Sequence, residues 1–289
     1  MEKVRIEDLQ VGMIVGKSIF APNGTILIRE KAVITAPILS KLKELGLPAA
    51  YIITSPDGKG PEDVVSETTR MDLVRSLSKL DSQVRAGQNL NILSSKQPLY
   101  TMIDEIISNQ KSLVGMTDIR LHGDYVYGHS VNVCTIAVKI GILLGYNQLK
   151  LAELGIGALF HDIGMTKIPL QVLDKTSNLT HDELKLIQTH PEIGFGMLKE
   201  NQAISMVSAH VAYQHHERYD GSGYPRGIAS EAIHEFARIT AVADVYDSMT
   251  TEKIYRRAKS TAETLEYIQS RRGTEFDPEI VDLLKQIIL

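Results

Sequence analysis

Apolar positions recur at three- and four-residue spacing through the last two-thirds of the chain. The pattern holds in residues 99–107, 202–216 and 231–250, and residues 126–144 and 149–162 are almost continuously apolar. This period is typical of helices that bury one face, and the alternation of a half-buried strand is absent. The pattern predicts an all-α domain over residues 97–289.

Two signals inside this domain predict where a helix begins and ends. Thr180 and Glu183 form a capping-box sequence, which predicts a helix starting at His181. We expect this helix to run to His190, because Pro191 disfavours helical backbone at the residue before it.

The first 58 residues have a different pattern. Two β-rich runs flank Pro22-Asn23-Gly24, and Asn-Gly between such runs is a hairpin signal. A helix is predicted through Leu42 with Gly46 as its stop, and AAYIIT predicts a short strand. We therefore expect a small α/β domain at 1–58, bounded by the Gly-, Pro- and Asp-rich residues 55–63.

Residues 59–96 are predicted to be a linker and helical connector. Four apolar positions between 63 and 86 follow a 4-3-4 spacing: Leu73, Leu77, Leu80 and Val84. Such a seam packs either on the chain's own core or on a partner helix, and fewer than two heptads do not decide between these alternatives. The second alternative, a partner helix from another copy of the chain, would make the protein a homodimer. The predicted fold class is mainly all-α, with a large helical domain preceded by the small α/β domain.

Composition and charge argue against several kinds of protein, among them nucleic-acid binders and membrane proteins. The 289 residues carry a formal charge of −4, so no basic excess exists to bind a nucleic-acid polymer. The single cysteine, Cys134, excludes an internal disulfide and fits a reducing compartment. MEKVRIEDLQ has no signal-peptide core, and no apolar run is long enough to span a membrane. We expect a cytoplasmic protein without membrane insertion.

The histidines point to the chemistry. All nine lie at or beyond His122. Five of them, together with two aspartates, lie in predicted apolar helices or at their ends: His129, His161, Asp162, His190, His215, His216 and Asp244. Imidazole and carboxylate together are ligands for Fe, Mn, Zn or Ni. Seven ligands exceed what one ion needs, so we infer two ions with a carboxylate able to bridge them. Sites with two metal ions commonly carry out in-line displacement at phosphorus, which is the reaction type that we expect here.

The motifs around these residues resemble a known family. HDIG at 161–164 and HHERYDGSGYPRG at 215–227 resemble the HD-GYP family, HD phosphohydrolases that degrade the bacterial messenger cyclic di-GMP. GHSVNV, THPEIG, AVADVYDSMT and FDPEIV extend the resemblance over about residues 97–289. The resemblance implies that the seven residues hold two Fe, Mn or Ni ions, with Asp162 bridging them and positioning the hydroxide nucleophile. Tyr125 stands where members with a third metal have a Glu, which favours two ions.

The resemblance also implies substrate contacts. Tyr224 of the GYP loop corresponds to a Tyr that contacts substrate phosphate, and Gly221 and Gly223 permit a tight turn or a close backbone approach there. Lys253 and Arg256 match basic positions after the last ligand aspartate. Both side chains provide a positive charge for phosphate. Lys253 stands where the family usually has an Arg, and a Lys cannot form the two parallel hydrogen bonds that a guanidinium makes to phosphate.

Met165 departs from the family pattern. The family usually has HDIGK, and its Lys lies near a substrate phosphate. Lys167 is the candidate replacement, although a shift of two residues along the chain usually points a side chain elsewhere. The substitution puts the catalytic rate or the substrate preference in doubt and leaves the metal ligands complete.

Two functional hypotheses follow. The first is a metal-dependent phosphodiesterase of bacterial second-messenger signalling, which opens cyclic di-GMP to linear pGpG, with GMP as a further product, or which acts on another cyclic dinucleotide such as cyclic GMP-AMP. The second is a catalytically weakened domain that senses a cyclic dinucleotide or binds a partner, of the GGDEF type or another signalling protein. The complete ligand set favours the first hypothesis and Met165 favours the second.

Overall fold

The computed structural model of the protein describes residues 2–20, 26–45, 47, 49–54, 64–109, 125–175, 177–251 and 257–288. The buried apolar side chains within these ranges form two separate clusters. A small cluster lies within residues 6–52, and a larger one draws on residues 64–287. The fold is therefore mainly helical with a small α/β unit before the helices, as the sequence predicted.

The N-terminal unit contains two short antiparallel strand pairs. Strand β1 (Glu2–Arg5) pairs with β4 (Ala49–Ile52), and β2 (Ile19–Phe20) pairs with β3 (Ile26–Ile28). Helix α1 (Ala36–Glu44) lies between β3 and β4 and buries Leu42. The pairing of β2 with β3 agrees with the predicted hairpin, whose turn residues 22–24 lie outside the described residues, as does Gly46.

The helical body is built around one buried helix. Its helices are α2 (Glu67–Arg85), α3 (Leu93–Ser108), α4 (Tyr125–Leu143), α5 (Gln148–Leu159), α6 (Leu170–Leu173), α7 (His181–Ile187), α8 (His190–Lys199), α9 (Met206–Gln214), α10 (Glu235–Thr250), α11 (Thr261–Ser270) and α12 (Pro278–Ile288). Helix α4 packs against α2, α3, α5, α10 and α12. The nearly continuous apolar sequence of α4 reflects this position, because a helix covered on every side has no polar face.

The predicted helix ending at His190 was wrong at its C-terminal end. The capping box at Thr180 is formed, but α7 ends at Ile187, and His190 begins the next helix with Pro191 in its first turn. Proline is favoured there because the first N–H groups of a helix have no partner within the helix. His190 consequently lies at the start of a helix rather than at the end of one.

Helix α2 belongs to the same packed body as the later helices. The four residues of its apolar seam are at most 5% exposed and lie in the larger buried cluster. The seam thus packs on the chain's own core, which was one of the two alternatives that the spacing left open. The domain boundary at residue 97 stays a prediction.

Helix α2 runs antiparallel to α4. Arg70 near its start bonds Asn132, and Asp81 near its end bonds Tyr127, which precedes Asn132 along α4.

Across the described ranges, every helix is too short or too polar to cross a bilayer.

Candidate metal centre

The seven side chains predicted as metal ligands lie together inside the helical body. Two come from within α4 and α10, and five lie at the ends of α5, α8 and α9. They form two groups, in each of which the ligand atoms lie within 4.8 Å of one another. One group has four members and the other three: Asp162, His190, His215 and His216, and His129, His161 and Asp244.

Asp162 lies between the two groups. Its Oδ1 atom is 3.1 Å from Nε2 of His190 and 3.4 Å from Nε2 of His215. Its Oδ2 atom is 3.4 Å from Nε2 of His161, which belongs to the other group. One carboxylate therefore faces both groups, as a bridging ligand must.

Backbone carbonyls orient three of the imidazoles. The Nδ1–H group of His161 donates to the carbonyl of Ala158 at 2.8 Å, and that of His190 donates to Ile187 at 2.7 Å. His215 makes the equivalent bond to Ala212 at 3.0 Å. A carbonyl can only accept, so the proton is on Nδ1 and the lone pair of Nε2 points into the site.

This orientation brings lone pairs face to face. Nε2 of His190 is 3.3 Å from Nε2 of His215, and both point at the Asp162 carboxylate. Among the described residues, neither Nε2 of His161 nor Oδ1 of Asp162 has a hydrogen-bond partner, and both atoms are buried. Leaving such groups unsatisfied costs about 1–3 kcal/mol each, and a cation placed between them removes that cost. The donor set and its orientation therefore fit divalent metal ions.

His129 is held differently, by a carboxylate that we did not single out in the sequence. Its Nδ1–H donates to Oδ2 of Asp247 at 2.6 Å, and its Nε2 lies 3.1 Å from Oδ1 of Asp244. Asp247 is fully buried. The motif AVADVYDSMT holds the missed signal, because Asp247 follows Asp244 by three residues and so shares its helix face.

The site favours positive charge beside its carboxylates. Burial lowers the pKa of His129, but its hydrogen bonds to Asp244 and Asp247 outweigh burial and raise this pKa to about 10. Burial acts to raise the pKa of Asp162 and Asp244, yet the surrounding imidazoles hold both below their usual range. Burial places the pKa of His216 well below its usual range. The ionised carboxylates and the neutral imidazole of His216 are forms that bind metal ions, whereas His129 must release the proton on Nε2 when an ion binds there.

Gly164 lets the His161-Asp162 turn approach helix α8. A Cβ atom at this position would lie 2.0 Å from the carbonyl oxygen of His190 and 2.8 Å from the amide nitrogen of Gly194. Both neighbours are backbone atoms, which cannot rotate away as a flexible side chain can. The absence of a side chain at Gly164 thus allows His190 to come close to Asp162.

The GYP loop folds back on the backbone that follows the last histidine ligands. A Cβ atom at Gly223 would lie 2.3 Å from the amide nitrogen of Arg218 and 2.5 Å from the carbonyl oxygen of His216. The buried carboxylate of Glu217 accepts from the amides of Arg226 at 2.8 Å and Ile228 at 3.2 Å. We did not predict this role for Glu217, because the motif shows the residue but not the loop closure.

Tyr224 lies beside the first group of ligands. Its ring stacks on His216 with the centroids 4.8 Å apart and the planes at 22°. Burial, and then the charges of Asp162 and Asp244, raise the pKa of Tyr224. The phenol therefore remains a hydrogen-bond donor at neutral pH, as a phosphate contact requires.

Of the other residues discussed as substrate contacts, the structure describes Lys167 and the position of Met165. The ammonium group of Lys167 donates to the carbonyl of Val84 at 3.2 Å, at the C-terminal end of α2. Met165 is half-buried, and its carbonyl accepts from the Arg85 guanidinium at 3.3 Å. Lys253, Arg256 and the side chain of Tyr125 lie outside the described residues.

The chain is similar to proteins that carry an HD domain. A family model described as an HD domain matches residues 91–280. A cyclic di-GMP phosphodiesterase of Pseudomonas aeruginosa is 30% identical over 247 residues, which are 82% of this chain and 59% of that protein. The cyclic di-GMP phosphodiesterase response regulator RpfG of Xanthomonas campestris is 42% identical over 150 residues, 52% of this chain and 40% of its own. A 3'3'-cGAMP-specific phosphodiesterase of Vibrio cholerae is 25% identical and covers 81% of this chain and 45% of its own.

The chain spans about half the length of these curated relatives, between 40% and 59%. Among solved structures, Bd1817, an HDG"Y"P protein from Bdellovibrio bacteriovorus, matches 99% of both chains with a TM-score of 0.62. At 19% sequence identity this likeness shows a shared fold.

Proposed function

Because the chain belongs to the HD domain family, and within it to the HD-GYP proteins, we propose that it is a metal-dependent phosphodiesterase that hydrolyses cyclic di-GMP to linear pGpG. One observation carries the proposal: two groups of ligand atoms meet at the carboxylate of Asp162. Paired metal ions at a bridging carboxylate suit in-line displacement at phosphorus.

We propose that the seven residues hold two divalent ions, of Fe, Mn or Ni. When bound, such ions act as Lewis acids toward phosphate oxygens and supply a nucleophile from water near neutral pH. The chain's own residues orient the imidazole ligands. Backbone carbonyls hold three imidazoles in the metal-binding tautomer, and Asp247 does so for His129. Asp162 is the proposed catalytic residue, because it contacts both groups.

Substrate recognition is proposed to involve the GYP loop. The Tyr224 hydroxyl donates a hydrogen bond to a phosphate oxygen, and Gly223 keeps the loop close enough for that contact. Lys253 and Arg256 are the proposed cations for phosphate, by the family resemblance. The bond between Lys167 and Val84 argues against a phosphate contact by Lys167, so the cation usual at the position of Met165 is not replaced from the same segment.

Met165 is the reason to keep a second candidate function. A domain with full metal ligands and one fewer phosphate cation binds a cyclic dinucleotide but turns it over slowly, as a sensor does. Another cyclic dinucleotide is the alternative substrate, since one relative is named as specific for 3'3'-cGAMP.

A substrate panel tests these functions. Protein loaded separately with Mn, Fe and Ni is incubated with cyclic di-GMP, 3'3'-cGAMP and cyclic di-AMP, and the products are separated by chromatography. We expect cyclic di-GMP to give pGpG with at least one metal, and GMP to appear later as a further product. Tight binding of cyclic di-GMP without hydrolysis under any metal would favour the sensor. Faster hydrolysis of 3'3'-cGAMP would change the substrate but not the reaction.

A further inference from the structure

A chain of buried hydrogen bonds runs from helix α2 to a predicted metal ligand. Arg70 donates from Nη1 to Oδ1 of Asn132 at 3.1 Å. Asn132 donates from Nδ2 to Oδ1 of Asp247 at 2.6 Å, and Oδ2 of Asp247 accepts from Nδ1–H of His129 at 2.6 Å. Arg70, Asn132 and Asp247 are 4%, 2% and 0% exposed, so water does not compete for these bonds.

The chemistry of the groups fixes the direction of each bond. A guanidinium only donates, so the Asn132 atom facing Arg70 must be its carbonyl oxygen. The amide nitrogen of Asn132 is then turned toward Asp247, where it donates to a carboxylate. Asp247 in turn accepts from Nδ1–H of His129, and this leaves Nε2 of His129 facing Asp244. Each group thus sets the orientation of the next.

Arg70 lies outside the part of the chain that the HD domain family accounts for. The family match covers residues 91–280, whereas Arg70 is in the first turn of α2. The apolar seam of α2 fixes the position of Arg70, because its leucines are buried in the same cluster as α4. Helix α2, which precedes the HD domain, is therefore connected to the His129 imidazole through the side chains of Asn132 and Asp247.

We propose that Arg70 is a positioning residue of the metal centre and that it acts on His129 through Asn132 and Asp247. The proposal rests on the metal site of the proposed function and not on the identity of the substrate. Loss of the guanidinium leaves Oδ1 of Asn132 buried without this donor and loosens the bonds that aim His129. The affected ion is the one held by the second group: His129, His161 and Asp244.

Binding of Mn²⁺ to the full chain tests the proposal. The variants are Arg70→Met, Asn132→Ala and the double variant, and free Mn²⁺ is followed by electron paramagnetic resonance during titration. Removal of a group that orients a metal ligand typically lowers affinity about 10- to 100-fold. We expect Arg70→Met to weaken one of two Mn²⁺ affinities by about this factor and to change the other little. The double variant should bind like Asn132→Ala alone, because Arg70 acts through Asn132.

Ser76→Ala is the matched control. Ser76 is also buried on α2, but its hydroxyl bonds Leu73 and Ser95. This variant should lower the melting temperature without changing either Mn²⁺ affinity, so it separates loosening of the helix from loss of the positioning bond. Arg70→Lys, which keeps a buried donor, should recover part of the lost affinity and serves if Arg70→Met does not fold.

The outcomes are distinguishable. Wild-type protein with two Mn²⁺ affinities, both unchanged in Arg70→Met, would overturn the inference alone. An equal loss of both affinities in Arg70→Met and in Ser76→Ala would also overturn it, since the effect would then be structural. Wild-type protein that takes up no divalent ion would overturn the proposed function and the inference with it.

Discussion

At the scale of single residues, the two groups of ligands depend unequally on their members. Most of the seven residues serve one group, but the two carboxylate oxygens of Asp162 face different groups. His216 has a further neighbour in Tyr224, and His129 depends on Asp247 for its orientation. Substitutions at the site are therefore expected to have effects of different kinds as well as of different sizes.

Asp162→Ala removes a carboxylate that faces both groups. We expect the variant to lose metal from both groups and to lose hydrolysis of cyclic di-GMP by on the order of 100-fold or more, the scale for a preorganised charged contact. Elemental analysis and a product assay check this. Asp174→Ala, at an exposed aspartate, is the control and should retain both properties. Two ions and normal turnover in Asp162→Ala would show that the ligand assignment is incorrect.

Met165→Lys restores the cation usual in the family. A donor aimed at developing negative charge is worth on the order of 100- to 1,000-fold in rate, and the two metals and other cations reduce this to an expected gain of about 10-fold. Lys167→Ala should have little effect on the rate, because Lys167 bonds the carbonyl of Val84. Single-turnover hydrolysis at equal metal loading measures both variants. If Lys167→Ala abolished hydrolysis and Met165→Lys changed nothing, the missing cation would be Lys167 after all.

Gly164→Ala tests the close approach between the His161-Asp162 turn and α8. The added Cβ would meet the carbonyl oxygen of His190 at 2.0 Å, so the backbone must move. Overpacking of this kind typically costs about 1–3 kcal/mol, and here it should also reduce metal uptake. Gly196→Ala on helix α8 is the control, because no atom of the described residues lies within 4 Å of a Cβ built there. Metal content and melting temperature should fall in Gly164→Ala, whereas Gly196→Ala should keep its metal and unfold at the same or a higher temperature, because alanine is favoured over glycine inside a helix.

At the scale of the elements, sequence periodicity predicted the existence of helices better than their ends. Helix α5 and the start of α7 follow from an apolar run and a capping box. The break between α7 and α8 was missed because Pro191 fits both the residue after a helix and the first turn of the next. Helices α11 and α12 were predicted only as part of an all-α domain, since their amphipathic patterns are short.

Removal of α2 should damage the metal centre, although the family match begins after it. The sequence alone predicted a domain starting at residue 97. Burying one leucine contributes about 1.5–3 kcal/mol, and α2 buries several, which together rival the stability of a typical domain. We expect residues 64–289 to fold and bind metal, and residues 97–289 to bind less metal and to unfold at a lower temperature. Equal metal content and melting temperature in the two fragments would show that α2 is dispensable.

At the scale of the whole molecule, the grouping of the seven candidate ligands was predictable from sequence, and most of the contacts that support them were not. The seven ligands stand in motifs that can be read locally, and their residue types alone suggest a metal site. Their division into two groups, the bond from His129 to Asp247 and the bond from Arg70 to Asn132 come from tertiary contacts. The bond between Arg70 and Asn132 joins positions 62 residues apart, and no local pattern predicts such a pair.

The hydrogen bonds of the imidazoles also determine how the site responds when the fold loosens. Three histidines take their orientation from carbonyls three residues earlier, whereas His129 depends on bonds that span 62, 115 and 118 residues. Local turns survive partial unfolding better than contacts between distant segments. Rising urea should therefore release the ion of the His129 group first, which a metal-binding dye would detect as two separate steps. Retention of one ion would then depend on imidazoles that are oriented locally, while retention of the other would report the integrity of the entire helical body.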